Sequence, residues 1–131
     1  MPVSLKDAQT ILLAAEASAK KVGVNVSITV VDNRGDLIAS IRMDGARYFT
    51  PDISKGKAMA AATFGVSSAT LTERAGSPVF QSLNLMHGGR LVFSQGAVPI
   101  RQGVGIEGAV GVSGGTPQQD EDIANAGLAA V

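Results

Sequence analysis

Two runs of alternating apolar residues, joined by Asp32-Asn33-Arg34-Gly35, constrain this chain more than any other feature. From Asn25 to Val31, Val26, Ile28 and Val30 alternate with Ser27 and Thr29. That period of two belongs to a strand with one face in a core. Asparagine and glycine tolerate positive φ, so the intervening residues read as a tight turn, and Leu37 to Met43 returns as the hairpin partner. A hairpin obliges its strands to run antiparallel, which separates this chain from folds built on repeated βαβ units.

The flanking segments carry helix signals. Ser4 is placed to cap a helix with Asp7 in its first turn, and Ala8, Ile11, Leu12, Ala15 and Ala19 recur at helical spacing before Gly23. Thr50-Pro51-Asp52 reads as cap, first helical residue and first-turn acid of a slim, alanine-rich helix ending at Phe64-Gly65. A weaker helical pattern, split by Gly76 and Pro78, fills Ser68 to Met86. Leu91-Val92-Phe93, Val98-Pro99-Ile100 and Ile106 to Val112 read as three further strands with turns at Gln95-Gly96 and Gln102-Gly103, and Pro99 favours an edge. Thr116-Pro117-Gln118-Gln119 fits a capping box, with Asp120, Glu121 and Asp122 complementing the positive end of a helix that runs on to the C-terminus. The expected fold class is α+β: one domain over residues 1–131, with a five-stranded antiparallel sheet flanked by helices.

Composition narrows the function. Eleven basic and eleven acidic residues cancel without any run of one sign, which argues against nucleic acid and against a charged membrane surface as partners. No apolar stretch approaches the roughly 20 residues that span a bilayer, and the first residues lack a basic start followed by an apolar run. Without cysteine, neither disulfides nor thiolate ligation is available, and a soluble, cytoplasmic protein is expected. With one tyrosine, four phenylalanines and no tryptophan the core is thin, so apolar surface is left for a symmetric partner. Self-association as a homo-oligomer is therefore expected, with the slim helix from Pro51 to Phe64 or a sheet edge in the interface.

Three motifs look catalytic and fail on context. Gly111-Val112-Ser113-Gly114-Gly115 matches the G-x-S-x-G nucleophile pattern, but no histidine follows Ser113 to act as base. Gly103-Val104-Gly105-Ile106-Glu107-Gly108 spells the dinucleotide fingerprint, yet it continues as a strand where that fingerprint needs a helix to begin. Asp120, Glu121 and Asp122 point in different directions around a helix and cannot converge on one metal ion.

The hairpin run Val31-Asp32-Asn33-Arg34-Gly35-Asp36, continuing to Arg42-Met43-Asp44-Gly45, and the run Gly108-Ala109-Val110-Gly111-Val112-Ser113-Gly114-Gly115-Thr116 together carry a family resemblance. Over nearly its whole length the chain resembles the GlcG, HbpS and PduO C-terminal domain family of small haem- or tetrapyrrole-associated proteins. The resemblance implies a profilin-like sandwich and a ligand that is haem, another tetrapyrrole or a small anionic molecule, handled by sensing, sequestration or carriage. It equally leaves open a small enzyme acting on an organic acid in a catabolic pathway.

For a haem iron, the available axial side chains are the only histidine, His87, together with Met43, Met59, Met86 and Tyr48. A lone histidine in a loop also serves as an ordinary hydrogen-bonded residue. A second set, Arg42, Asp44, Gly45 and Arg47 at the end of the hairpin with Lys57 on the next helix, offers cations beside glycine backbone. These could clamp a carboxylate, or Asp44 could pair structurally with Arg42 or Lys57. Arg42, Asp44, Gly45 and Lys57 also match recurrent family positions. The expected ligand-binding residues are thus Arg42, Asp44, Gly45, Lys57 and His87, with His87 the candidate iron ligand.

Overall fold

The computed structural model describes residues 2–131. Helix α1 (Leu5–Val22) leads into a hairpin of β1 (Ser27–Asp32) and β2 (Leu37–Arg42). After α2 (Thr50–Phe64), a 3-10 segment (Ser68–Arg74) and α3 (Pro78–Met86) come a second hairpin, β3 (Ala97–Gln102) and β4 (Gly105–Ser113), and then α4 (Pro117–Leu128). The sheet order is β2-β1-β4-β3 with every neighbour antiparallel, so β1 and β4 form the centre and Pro99 lies on an edge strand.

The sheet has four strands rather than five. The expected strand at 91–93 spends its backbone elsewhere: Leu91 N–H donates to Asn84 Oδ1 at 2.9 Å and Val92 N–H to the Gly56 carbonyl at 3.2 Å. With those donors engaged by a side chain and by α2, the apolar run caps a helix face instead of joining a ladder. Leu91 is buried there, and Phe93 packs edge-on to Phe64 and tilted against Phe80, which stack on each other.

Each helix begins and ends for a local reason. Asp7 N–H donates to Ser4 Oγ at 3.1 Å, and Gly23 closes α1 in the left-handed region at φ 85°. At α4, Gln119 N–H donates to Thr116 Oγ1 while Gln119 Oε1 accepts from Thr116 N–H, a complete capping box; the helix then stops at Leu128, three residues short of the expected C-terminal end. Thr116→Ala is expected to cost about 1 kcal/mol, read as a lower denaturant midpoint; an unchanged midpoint would remove the cap from this account. Thr50 is not the cap of α2. Phe49 precedes the helix without a capping side chain, and Thr50 Oγ1 is turned inward, donating to the Arg47 carbonyl at 2.7 Å.

Both faces of β1 are covered, where its alternation suggests one. On one face Ile28, Val30, Val98, Ile100, Val110 and Val112 pack against Ala8, Ile11, Ala15 and Ala19 of α1 and Ile123 and Ala124 of α4, with Ile41 half-buried beside them. On the other face α2 lies across β1 and β4. There Ser27 and Thr29 are fully buried, and their hydroxyls meet Thr50 Oγ1 at 2.8 Å and Ser54 Oγ at 2.7 Å. Thr50 and Ser54 donate onward to backbone carbonyls, so the buried hydroxyls are satisfied. Gly111 lets the helix sit this low: a Cβ there would run into the Ser54 carbonyl and the Ala58 nitrogen. The slim face of α2, expected in an interface between subunits, is thus occupied within the chain, with Ala58, Ala60 and Ala61 fully buried.

Candidate functional site

The α2 crossing brings Lys57 beneath the ends of β4 and α4. Its Nζ, nearly sealed from solvent, donates to the Val112 carbonyl at 3.0 Å and to Asp120 Oδ2 at 3.1 Å. The other oxygen, Asp120 Oδ1, accepts the Gly115 N–H at 2.8 Å. Asp120 therefore complements the α4 N-terminus as expected and also neutralises a buried ammonium. The expected alternatives for Lys57, a free clamp or a pair with Asp44, give way to this pair.

Above the pair opens a cavity of about 480 Å³ between the end of the first hairpin, the start of α2 and the Gly114-Gly115 turn. Of the expected ligand-binding set, Gly45 and Lys57 line it, as does Arg47. Arg42 and Asp44 are exposed, do not line it, and make no ion pair among the described residues. Arg42 ends β2, the outer strand of the sheet; its register partner Ser27 faces α2, so Arg42 lies on that same face but stands exposed at the sheet edge, outside the cavity. Among the lining residues that had no such role in the sequence are two polar ones, the exposed Asn25 and Ser113, the last residue of β4. Ser113 was legible only as a hydroxyl at a strand end. With His87 outside the cavity, it has no imidazole base beside it.

His87 closes α3. Its Nδ1 lies 2.8 Å from the Leu83 carbonyl oxygen. A carbonyl only accepts, so Nδ1 is the donor, which leaves Nε2 as the ring nitrogen able to offer a lone pair to a metal. Beside it Leu85 and Met86 are 81% and 82% exposed, unusual for large apolar side chains. Arg90 Nε donates to the His87 carbonyl at 2.7 Å, fixing the loop. The same loop walls a groove of about 260 Å³ against α2, lined by Ile53, Met59 and Val92 and by the charged Asp52, Lys55 and Arg90. Of the other axial candidates, Met43 packs partly buried against the core, Met59 is buried at this groove and Tyr48 is exposed near the larger cavity. His87 lies outside the Lys57 cavity, so the expected ligand-binding residues fall at two separate places.

No helix among the described residues is long and apolar enough to cross a membrane, and none of their His, Asp and Glu side chains cluster as a metal site.

An antiparallel sheet between helix layers, with a glycine-lined cavity at the strand ends, defines a small α+β domain of the kind the sequence resembles. The chain belongs to the HbpS-like family, described as haem-degrading protein HbpS-like, whose model matches residues 3–129. It is 34% identical over 128 residues to an uncharacterized 15.0 kDa protein from the dhaT-dhaS intergenic region of Citrobacter freundii, covering 96% of this chain and 89% of that one. Among solved structures, protein ORFY of Klebsiella pneumoniae superposes with a TM-score of 0.89 at 32% identity, covering 98% of this chain and 89% of that one. A PduOC:haem complex superposes with a TM-score of 0.86 at 28% identity, covering 100% and 96%.

Proposed function

We propose that this chain binds haem or a closely related tetrapyrrole, for sequestration or sensing, with His87 as the iron ligand. The observation that carries the reading is the hydrogen bond from His87 Nδ1 to the Leu83 carbonyl. Metal-ligating histidines are commonly anchored in this way through the nitrogen that does not bind, which fixes the tautomer and the ring. His87 Nε2 would hold the iron, Leu85 and Met86 would offer apolar surface to the macrocycle, and Arg90, with Lys55 along the neighbouring groove, would offer cations to the propionates. Bound haem supplies one-electron and oxygen chemistry; the chain's part is to hold and orient it. Family membership and the haem complex of the similar PduOC structure support the same reading.

Self-association belongs to this proposal. A macrocycle on the exposed end of α3 has one face open, and a second copy closing over Val79, Leu85 and Met86 would remove three large apolar side chains from water.

The test is a spectrophotometric titration of ferric haem into purified protein. The wild type is expected to saturate at a fixed stoichiometry with a shifted Soret band. His87→Ala is expected to bind at least about tenfold more weakly, with circular dichroism unchanged because the side chain lies at a helix end. An identical Soret band and affinity in His87→Ala would overturn the assignment.

A further inference from the structure

We infer that the cavity over Lys57 is a carboxylate-binding site, distinct from the His87 surface. Three groups there have hydrogen-bonding capacity that the fold leaves unused. Lys57 Nζ has three N–H donors, and two are spent on the Val112 carbonyl and Asp120. Ser113 is 6% exposed and its hydroxyl has no partner among the described residues, yet no polar side-chain atom among them is sealed from solvent without one. That hydroxyl therefore opens on the cavity it lines. Arg47 lines the same cavity and makes no ion pair among the described residues.

Charge decides the class of ligand. The Lys57–Asp120 pair cancels at the floor, and both Asp120 oxygens are occupied, by Lys57 Nζ and the Gly115 N–H. Arg47 is left as one net positive charge. A single charge with hydroxyl and ammonium donors suits a monocarboxylate; a phosphate dianion would bring a second negative charge close to Asp120 with nothing to balance it. The cavity, at about 480 Å³, has room for a small organic acid beyond its carboxylate.

The carboxylate can come from a free organic acid or from a haem propionate, and one experiment separates them. Amide shifts of Ser113, Gly114 and Gly115 are followed by NMR as L-lactate is added, with uncharged methyl lactate at matched ionic strength as control. Saturable shifts with lactate alone are expected. Arg47→Gln should weaken binding at least tenfold and Ser113→Ala several-fold, with the remaining spectrum unmoved. Displacement of lactate by haem would assign the site to a propionate, and coexistence of the two would assign it to a free acid; either upholds a carboxylate site. Absence of saturation, equal shifts with the methyl ester, or full affinity in Arg47→Gln would overturn it. Haem binding can fail in His87→Ala while lactate binding persists, so the two readings stand or fall separately.

Discussion

Asp120→Ala is expected to destabilise the protein by about 3–5 kcal/mol, measured as a fall in the free energy of unfolding in urea. The substitution leaves the Lys57 ammonium buried, with the Val112 carbonyl as its remaining partner, and it also orphans the Gly115 N–H. Removing one member of a buried pair costs more than the pair contributes, because the partner's charge stays desolvated without compensation. The double variant Lys57→Met, Asp120→Leu removes both charges and replaces them with apolar groups of similar size. It should recover most of the loss. A single variant within about 1 kcal/mol of wild type would mean that water reaches Lys57 and that the pair is not a structural unit.

Gly111→Val is expected to cost at least about 3 kcal/mol, the upper end of ordinary overpacking, because branched carbons would enter space held by backbone rather than by movable side chains. A Cβ at this position meets the Ser54 carbonyl and the Ala58 nitrogen of α2. The helix would have to lift, separating Ser54 from Thr29, now 2.7 Å apart, and drawing Lys57 from beneath β4. Gly111 does not have positive φ, so the loss would be steric and not a backbone preference. Thermal unfolding reports it. A variant with the wild-type midpoint would show that α2 does not depend on this close approach.

The parts of the fold legible in the sequence are those whose cause lies within a few residues. Ser4 and Thr116 cap because the N–H groups they accept from are three positions away, and the Asp32 to Gly35 turn declares itself through residues that suit it. Leu91-Val92-Phe93 misleads because a short apolar run has no period of its own; its role was decided by Asn84 and Gly56, which took its backbone donors. Thr50 misleads because Pro51 makes it resemble a cap, while Ser27, 23 positions earlier, shares its hydroxyl in the core.

The same distinction runs through the site. Lys57 and Gly45 lie where a ligand could meet them, but the partner of Lys57 is 63 positions away, and no local spacing links them. Arg42 carries the same guanidinium as Arg47 but stands at the exposed end of β2, outside the cavity, and that placement depends on β2 being the outer strand. His87 could be singled out because the chain has one histidine. Its bond to Leu83, which determines which nitrogen is free, follows from the end of α3 and became visible only with the fold.

The central claim, that His87 Nε2 ligates haem iron, is tested most directly by electron–nuclear double resonance on the ferric haem complex prepared with 15N-histidine. With one histidine in the chain, any strongly coupled 15N belongs to His87. The account predicts one such nitrogen beside the unlabelled pyrrole nitrogens, and its loss in His87→Ala. A haem complex without a coupled 15N, or no complex at all, would contradict it.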